Sequence, residues 1–119
     1  MSKTQTDLNI RSAGAVTIVE FLDRRLIDAA QIERLGQTVL EQVNTSTAPK
    51  IVMNFEKVEY LSSSMLNVII AVDNAVKKKK GELRLAGLDD ELKKIFSLMK
   101  LNKVLTICGN ADEAVKSIK

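Results

Sequence analysis

The feature that most constrains this chain is a six-residue run, Lys50-Ile51-Val52-Met53-Asn54-Phe55, set directly behind Pro49. It is too short for an independent helix, and its apolar density is that of a strand buried at the centre of a sheet. A central strand needs neighbours, and the flanking sequence supplies them. Upstream, Leu8 and Ile10 alternate with Asn9 and Arg11, Ala13-Gly14 makes a turn, and Val16-Thr17-Ile18-Val19-Glu20-Phe21 is rich in β-formers. Two paired strands are therefore expected over about 7–12 and 15–21. Asp28 then heads a segment whose Ile32, Leu35, Val39 and Val43 share one helical stripe, predicting a helix over about 28–44 that ends in the polar loop before Pro49.

Downstream, Met65, Leu66, Ile69, Ile70 and Val76 mark a second amphipathic helix that finishes in Lys77-Lys78-Lys79-Lys80, with Gly81 as its stop. Glu82 to Ala86 alternates as a strand, and Gly87 breaks it. Asp89-Asp90-Glu91 opens a third helix carrying Leu92, Ile95, Phe96 and Met99. Leu101 to Lys103 reads as a bend, Val104 to Cys108 as a last strand and Ala111 to Lys119 as a short helix. The order β-β-α-β-α-β-α-β-α predicts an α/β fold: a mainly parallel mixed sheet with an antiparallel edge hairpin, covered by about four helices. Ile51, Val52, Met53, Leu66, Ile69, Ile70, Leu85, Ile95 and Phe96 are the expected core.

Composition narrows function by exclusion. The 119 residues suit one domain spanning 1–119 with a flexible tail over 1–7, and 45% hydrophobic with 28% charged residues is the balance of a soluble globular chain. No apolar stretch is long enough to span a bilayer and no hydrophobic signal core follows Met1, so a cytoplasmic protein with no membrane partner is expected. There is no His and a single Cys, Cys108, which reads as a small hydrophobe. An imidazole base, a Ser-His or Cys-His nucleophile and a zinc site are thereby ruled out, so no catalytic residue, metal ligand or cofactor is assigned. The four aromatics, Phe21, Phe55, Tyr60 and Phe96, stand in contexts that predict packing, and a net charge of +3 is modest, so no direct contact with nucleic acid is expected. The four lysines read as a solvated helix end and the acids at 89–91 as partners of a helix dipole.

What remains is Ser62-Ser63-Ser64, placed where a helix begins behind the central strand. One serine suffices as an N-cap, because its hydroxyl accepts from a free amide of the first turn. Three exceed that need. A helix N-terminus also tolerates a phosphate, which would change the exposed charge by about −1.5 to −2, making a serine here a switch candidate. Without the glycines of a nucleophile elbow or a His, hydrolase chemistry is excluded.

The string Ile51 to Ile70, with Leu61-Ser62-Ser63-Ser64-Met65-Leu66 at its centre, resembles the signature of STAS domains, the anti-sigma factor antagonists, in which a strand and a short connection lead into Asp-Ser-Ser/Thr-Gly-Leu and a helix. Leu22-Asp23 resembles the family's first turn, and Leu83 to Leu105 its later strand-helix-bend-strand. The resemblance implies a phosphoacceptor at Ser63 and a partner surface from Asp23, Ser62, Ser64, Met65 and Asn67. It implies an anti-sigma factor serine kinase as partner, with a homodimer as a further association, and no enzymatic activity. Ser62 stands at the family's Asp position, Met65 at its Gly position and Glu20 where the first turn usually has Gly. These departures suit an alternative: a phosphorylation-independent STAS interaction module in a larger signalling assembly.

Overall fold

The computed structural model describes residues 8–118. The expected tail over 1–7, the first residue of the first strand and the last residue of the final helix lie outside the described residues. The elements are β1 (Leu8–Ala13), β2 (Val16–Phe21), β3 (Arg25–Leu26), α1 (Ala29–Asn44), β4 (Lys50–Asn54), β5 (Tyr60–Leu61), α2 (Ser63–Lys78), β6 (Glu82–Ala86), α3 (Asp90–Leu98), a 3-10 turn (Leu101–Lys103), β7 (Thr106–Cys108) and α4 (Ala111–Ser117). Five strands form one sheet in the order β1-β2-β4-β6-β7. β1 and β2 are antiparallel, joined at Gly14-Ala15 with Gly14 at φ +64°, and every other pairing is parallel. The α/β class and the antiparallel edge are as expected.

The run 50–55 is the centre of the structure because its alternate residues serve two different cores. Ile51 and Met53 point with Val19, Phe21, Leu83 and Leu85 into the large core under α1, α2 and α3. Val52 points the other way, with Val16, Ile18 and Ala86, into a small core closed by Ala114 and Ile118. A strand apolar on both faces is what a parallel sheet covered on both sides requires. Phe21 and Phe55 stack at 4.9 Å inside the large core, and Phe96 is fully buried. The helical stripes are seated as their spacing predicts: Ile32, Leu35, Val39 and Val43 on α1, and Met65, Leu66, Ile69 and Val76 on α2, are buried. Ile70 and Ile95 are half-buried at the margins of the core, and Met99, at the end of the third stripe, is exposed.

Four local expectations are corrected. Tyr60 is 58% exposed instead of packed, since only the phenylalanines enter the core. Gly81 is not the residue that turns the end of α2, because Lys80 itself takes the left-handed conformation at φ 58°. Gly81 is needed for close approach: a Cβ there would lie 2.1 Å from the Pro49 carbonyl oxygen. Lys79 is not merely solvated, since its Nζ donates to the carbonyl oxygens of Val43, Asn44 and Ser46 at 3.3, 2.9 and 2.8 Å. It thereby satisfies the C-terminal carbonyls of α1, whose last turn holds no basic residue of its own. β7 begins at Thr106, two residues later than expected, because the N–H groups of Val104 and Leu105 close the 3-10 turn on the Leu101 carbonyl.

The acids at 89–91 behave as the dipole argument requires, with Asp89 Oδ1 accepting the Leu92 N–H at 2.9 Å and Asp90 and Glu91 in the first turn.

Candidate functional site

The serines stand at the head of α2, and they divide the work. Ser62 has extended backbone, and its Oγ accepts the Met65 N–H at 3.3 Å, so it is the N-cap. Its own N–H donates to the Leu26 carbonyl at 3.0 Å, which ties the cap to the preceding loop. Serine and aspartate are equally good caps, so the serine at the family's Asp position preserves that local function. Ser63 is then the first residue of the helix and Ser64 the second; both are exposed, and neither hydroxyl has a hydrogen-bond partner among the described residues. Asn67, one turn further on, is exposed as well.

Met65 departs from its expected place. Its side chain is fully buried in the large core, on the stripe it shares with Ile69 and Val72. Spacing of four and seven residues explains this, and Met65 therefore contributes packing instead of surface.

The site is held by a two-strand ladder that sequence periodicity cannot reveal. β3 pairs in parallel with β5, Arg25 opposite Tyr60 and Leu26 opposite Leu61, while the N–H groups of Glu59 and Tyr60 both donate to the Arg24 carbonyl. Side chains repeat the connection. Both Nε and Nη2 of Arg24 donate to Glu59 Oε2, at 3.2 and 3.0 Å, and the Arg25 guanidinium lies 5.4 Å from the centre of the Tyr60 ring. The Arg24–Glu59 pair is solvent-exposed and contributes at most ~1 kcal/mol, so the backbone ladder sets the geometry.

Asp23 begins this loop. Its Oδ1 accepts the Arg25 N–H at 3.0 Å, an Asx turn, and its Oδ2 accepts Gln31 Nε2 at 2.9 Å. The Arg25 backbone bond, followed by that of the Gln31 side chain, holds the Asp23 carboxyl below the usual range of an aspartate. With Arg24, Arg25, Glu59 and Tyr60 it lines an open depression of about 520 Å³. Because β3 and β5 run parallel, Asp23 precedes the ladder whereas the serines follow it, so the two halves of the expected surface stand at opposite ends of one ladder.

The residue that succeeds Leu26 in the ladder, as Ser62 succeeds Leu61, is Ile27, and it is 48% exposed. Ile27 and Tyr60 are the apolar members of this surface that sequence reasoning missed. Neither belongs to a helical stripe, and two-residue strands carry too little alternation to assign an outward face.

The family model of the STAS domain matches residues 8–114. The chain belongs to the STAS domain family. Among similar proteins, BtrV of Bordetella bronchiseptica, named for anti-sigma factor antagonism, is 21% identical over 94 residues, which cover 79% of this chain and 80% of that protein. The solved STAS domain protein of Planctomyces limnophilus, an anti-sigma factor antagonist domain, superposes with a TM-score of 0.85 at 17% identity, covering 98% of this chain and all of that one. The phosphorylated form of the Bacillus cell fate determinant SpoIIAA gives 0.71 at 15% identity over 94% and 99% of the two chains. At such identities the solved structures establish a common STAS fold.

Proposed function

We propose that this STAS domain is an anti-sigma factor antagonist of the cytoplasm that docks on an anti-sigma factor serine kinase and is released by phosphorylation of Ser63. The observation that carries the proposal is the division of labour at the head of α2: Ser62 caps the helix, and Ser63 is left exposed with an uncommitted hydroxyl. The named relatives, described as anti-sigma factor antagonists, support the regulatory class.

The chemistry belongs to the kinase. Its base takes the Ser63 hydroxyl proton, the Oγ attacks the γ-phosphorus of ATP, and ADP departs. The chain itself supplies an acceptor, a rigid frame and no turnover of its own. The phosphoryl group would sit at a helix N-terminus, where its charge is favourable, so modification leaves the fold intact. Docking is a different matter. A doubly charged group on this exposed surface has to be desolvated against the partner, and this weakens the complex. Asp23, held ionised by its Asx turn, fixes the far end of the docking surface together with Tyr60 and the Arg24–Glu59 pair.

Intact mass after incubation with ATP and the cognate kinase tests the proposal. One added phosphoryl group, absent from Ser63→Ala, is the expected result. A label on Ser62 or Ser64, or none, favours the phosphorylation-independent module, a reading that the buried Met65 in place of the family's glycine also suits.

A further inference from the structure

The most exposed large apolar side chain among the described residues, Leu98 at 83%, lies in neither core nor serine surface. It belongs to a compact knuckle formed by the last turn of α3 and the 3-10 turn. Around buried Leu101 this segment presents Leu98, Met99 at 50% and Val104 at 55%, together with Lys100 and Lys103. The knuckle is fixed in shape: Lys100 takes the left-handed conformation at φ 60°, its carbonyl accepts the Lys103 N–H, and the Leu101 carbonyl accepts the Val104 N–H. Val104 also shares a depression of about 260 Å³ with Lys77 and Lys80 from the end of α2. Two lysine-rich segments distant in sequence thus meet beside one apolar cluster. Asp73 and Glu82 also line the depression, but each is paired, Asp73 with Lys77 at 2.8 Å and Glu82 with Arg84 at 2.6 Å, so among the described residues the uncompensated cations of the patch are Lys80, Lys100 and Lys103.

We propose that the knuckle Leu98–Val104, with Lys80 just beyond the end of α2, forms a peripheral docking site for an anionic phospholipid surface. Charge complementarity requires an anionic partner, and composition selects lipid. Protein interfaces concentrate Arg and aromatic residues and are depleted in Lys. Here the exposed cations are lysines and no aromatic is present, while Arg84 is tied to Glu82 and Ser117. Lysines that surround protruding Leu, Met and Val side chains are the pattern by which a folded surface enters the headgroup region without crossing the bilayer. No helix among the described residues is long and apolar enough to cross a membrane, so the contact is peripheral. The site lies at the end of α2 opposite Ser63, about 24 Å away along a 16-residue helix, which leaves the serine surface accessible in the bound state.

The test is co-sedimentation of the full chain with phosphatidylcholine vesicles, with and without phosphatidylglycerol, and in parallel with immobilised polyglutamate. Binding is expected only to the anionic vesicles. Each lysine near such a surface is worth about fivefold in partitioning, so Lys100→Glu/Lys103→Glu should weaken it by at least ~25-fold. Arg11→Glu/Lys116→Glu, which changes net charge equally but outside the patch, should weaken it much less. Leu98→Ser/Met99→Ser, at exposed positions that leave the core untouched, should reduce it several-fold. No binding to anionic vesicles, equal losses in the two charge-reversal variants, or retention by polyglutamate in place of vesicles would overturn the proposal, the last in favour of an acidic protein partner. Far-ultraviolet circular dichroism of each variant confirms that a loss is not unfolding.

Discussion

The two ends of α2 are built on opposite principles. At its N-terminus the chain uses small neutral residues: Ser62 closes the helix, and Ser63 and Ser64 are left uncommitted on a surface that a backbone ladder holds in place. At its C-terminus it uses long cationic ones, and those nearest the fold have structural partners. Lys77 pairs with buried Asp73 at 2.8 Å, and Lys79 reaches across to the last carbonyls of α1. Between the two ends, Met65, Ile69, Val72 and Val76 bind the helix to the sheet. The contrast teaches that a residue's availability depends on what its neighbours have already satisfied. A serine beside a capping serine is free, whereas a lysine beside uncapped carbonyls is not.

The comparison breaks altogether if the shared middle of the helix is lost. Ile69→Asp places an unpaired carboxylate in the large core and should cost more than ~4 kcal/mol, enough to remove the cooperative transition in thermal or urea unfolding. Gly81→Ala attacks the C-terminal end alone. Its Cβ meets backbone at Pro49, which cannot swing aside, so a loss of about 2–3 kcal/mol is expected in the same assay. Lys79→Ala strands the α1 carbonyls and should cost about 1–2 kcal/mol, reduced by partial access of water. Ser62→Ala removes the cap at the other end for about 1 kcal/mol, with Ser62→Asp restoring it. Ser63→Ala should stay within ~0.5 kcal/mol of wild type. If Ser63→Ala proves costlier than Ser62→Ala, the roles of the two serines are reversed.

Much of this was legible in the residues. The run 50–55 fixes a central strand because consecutive apolar positions require cover on both faces, and the stripes of α1 and α2 fix which helical faces provide it. Met65 was legible too, since its spacing from Ile69 already assigns it to the core, and its place in the serine motif pulled the expectation toward the surface. The ladder of β3 and β5 was not. Two-residue strands are too short for any period, and they exist only because long-range backbone groups at Arg24, Leu26, Glu59 and Ser62 find each other. Tyr60 and Ile27 were lost with that ladder, as exposure there depends on strand register. The hydrogen bonds of Lys79 were hidden for a related reason, because its partners lie 33 to 36 residues upstream.

The most direct test of the account is the affinity of the cognate kinase for wild type, Ser63→Ala and Ser63→Asp, measured by calorimetric titration alongside thermal unfolding of each free protein. Ser63→Ala should bind as wild type does. Ser63→Asp should bind at least ~10-fold more weakly while unfolding no earlier, since a carboxylate in the first turn of α2 favours the helix by ~0.3–1 kcal/mol. Equal affinities for all three proteins, or a weakened complex accompanied by a matching loss of stability, would contradict a switch at Ser63 and leave it an ordinary residue of the helix start.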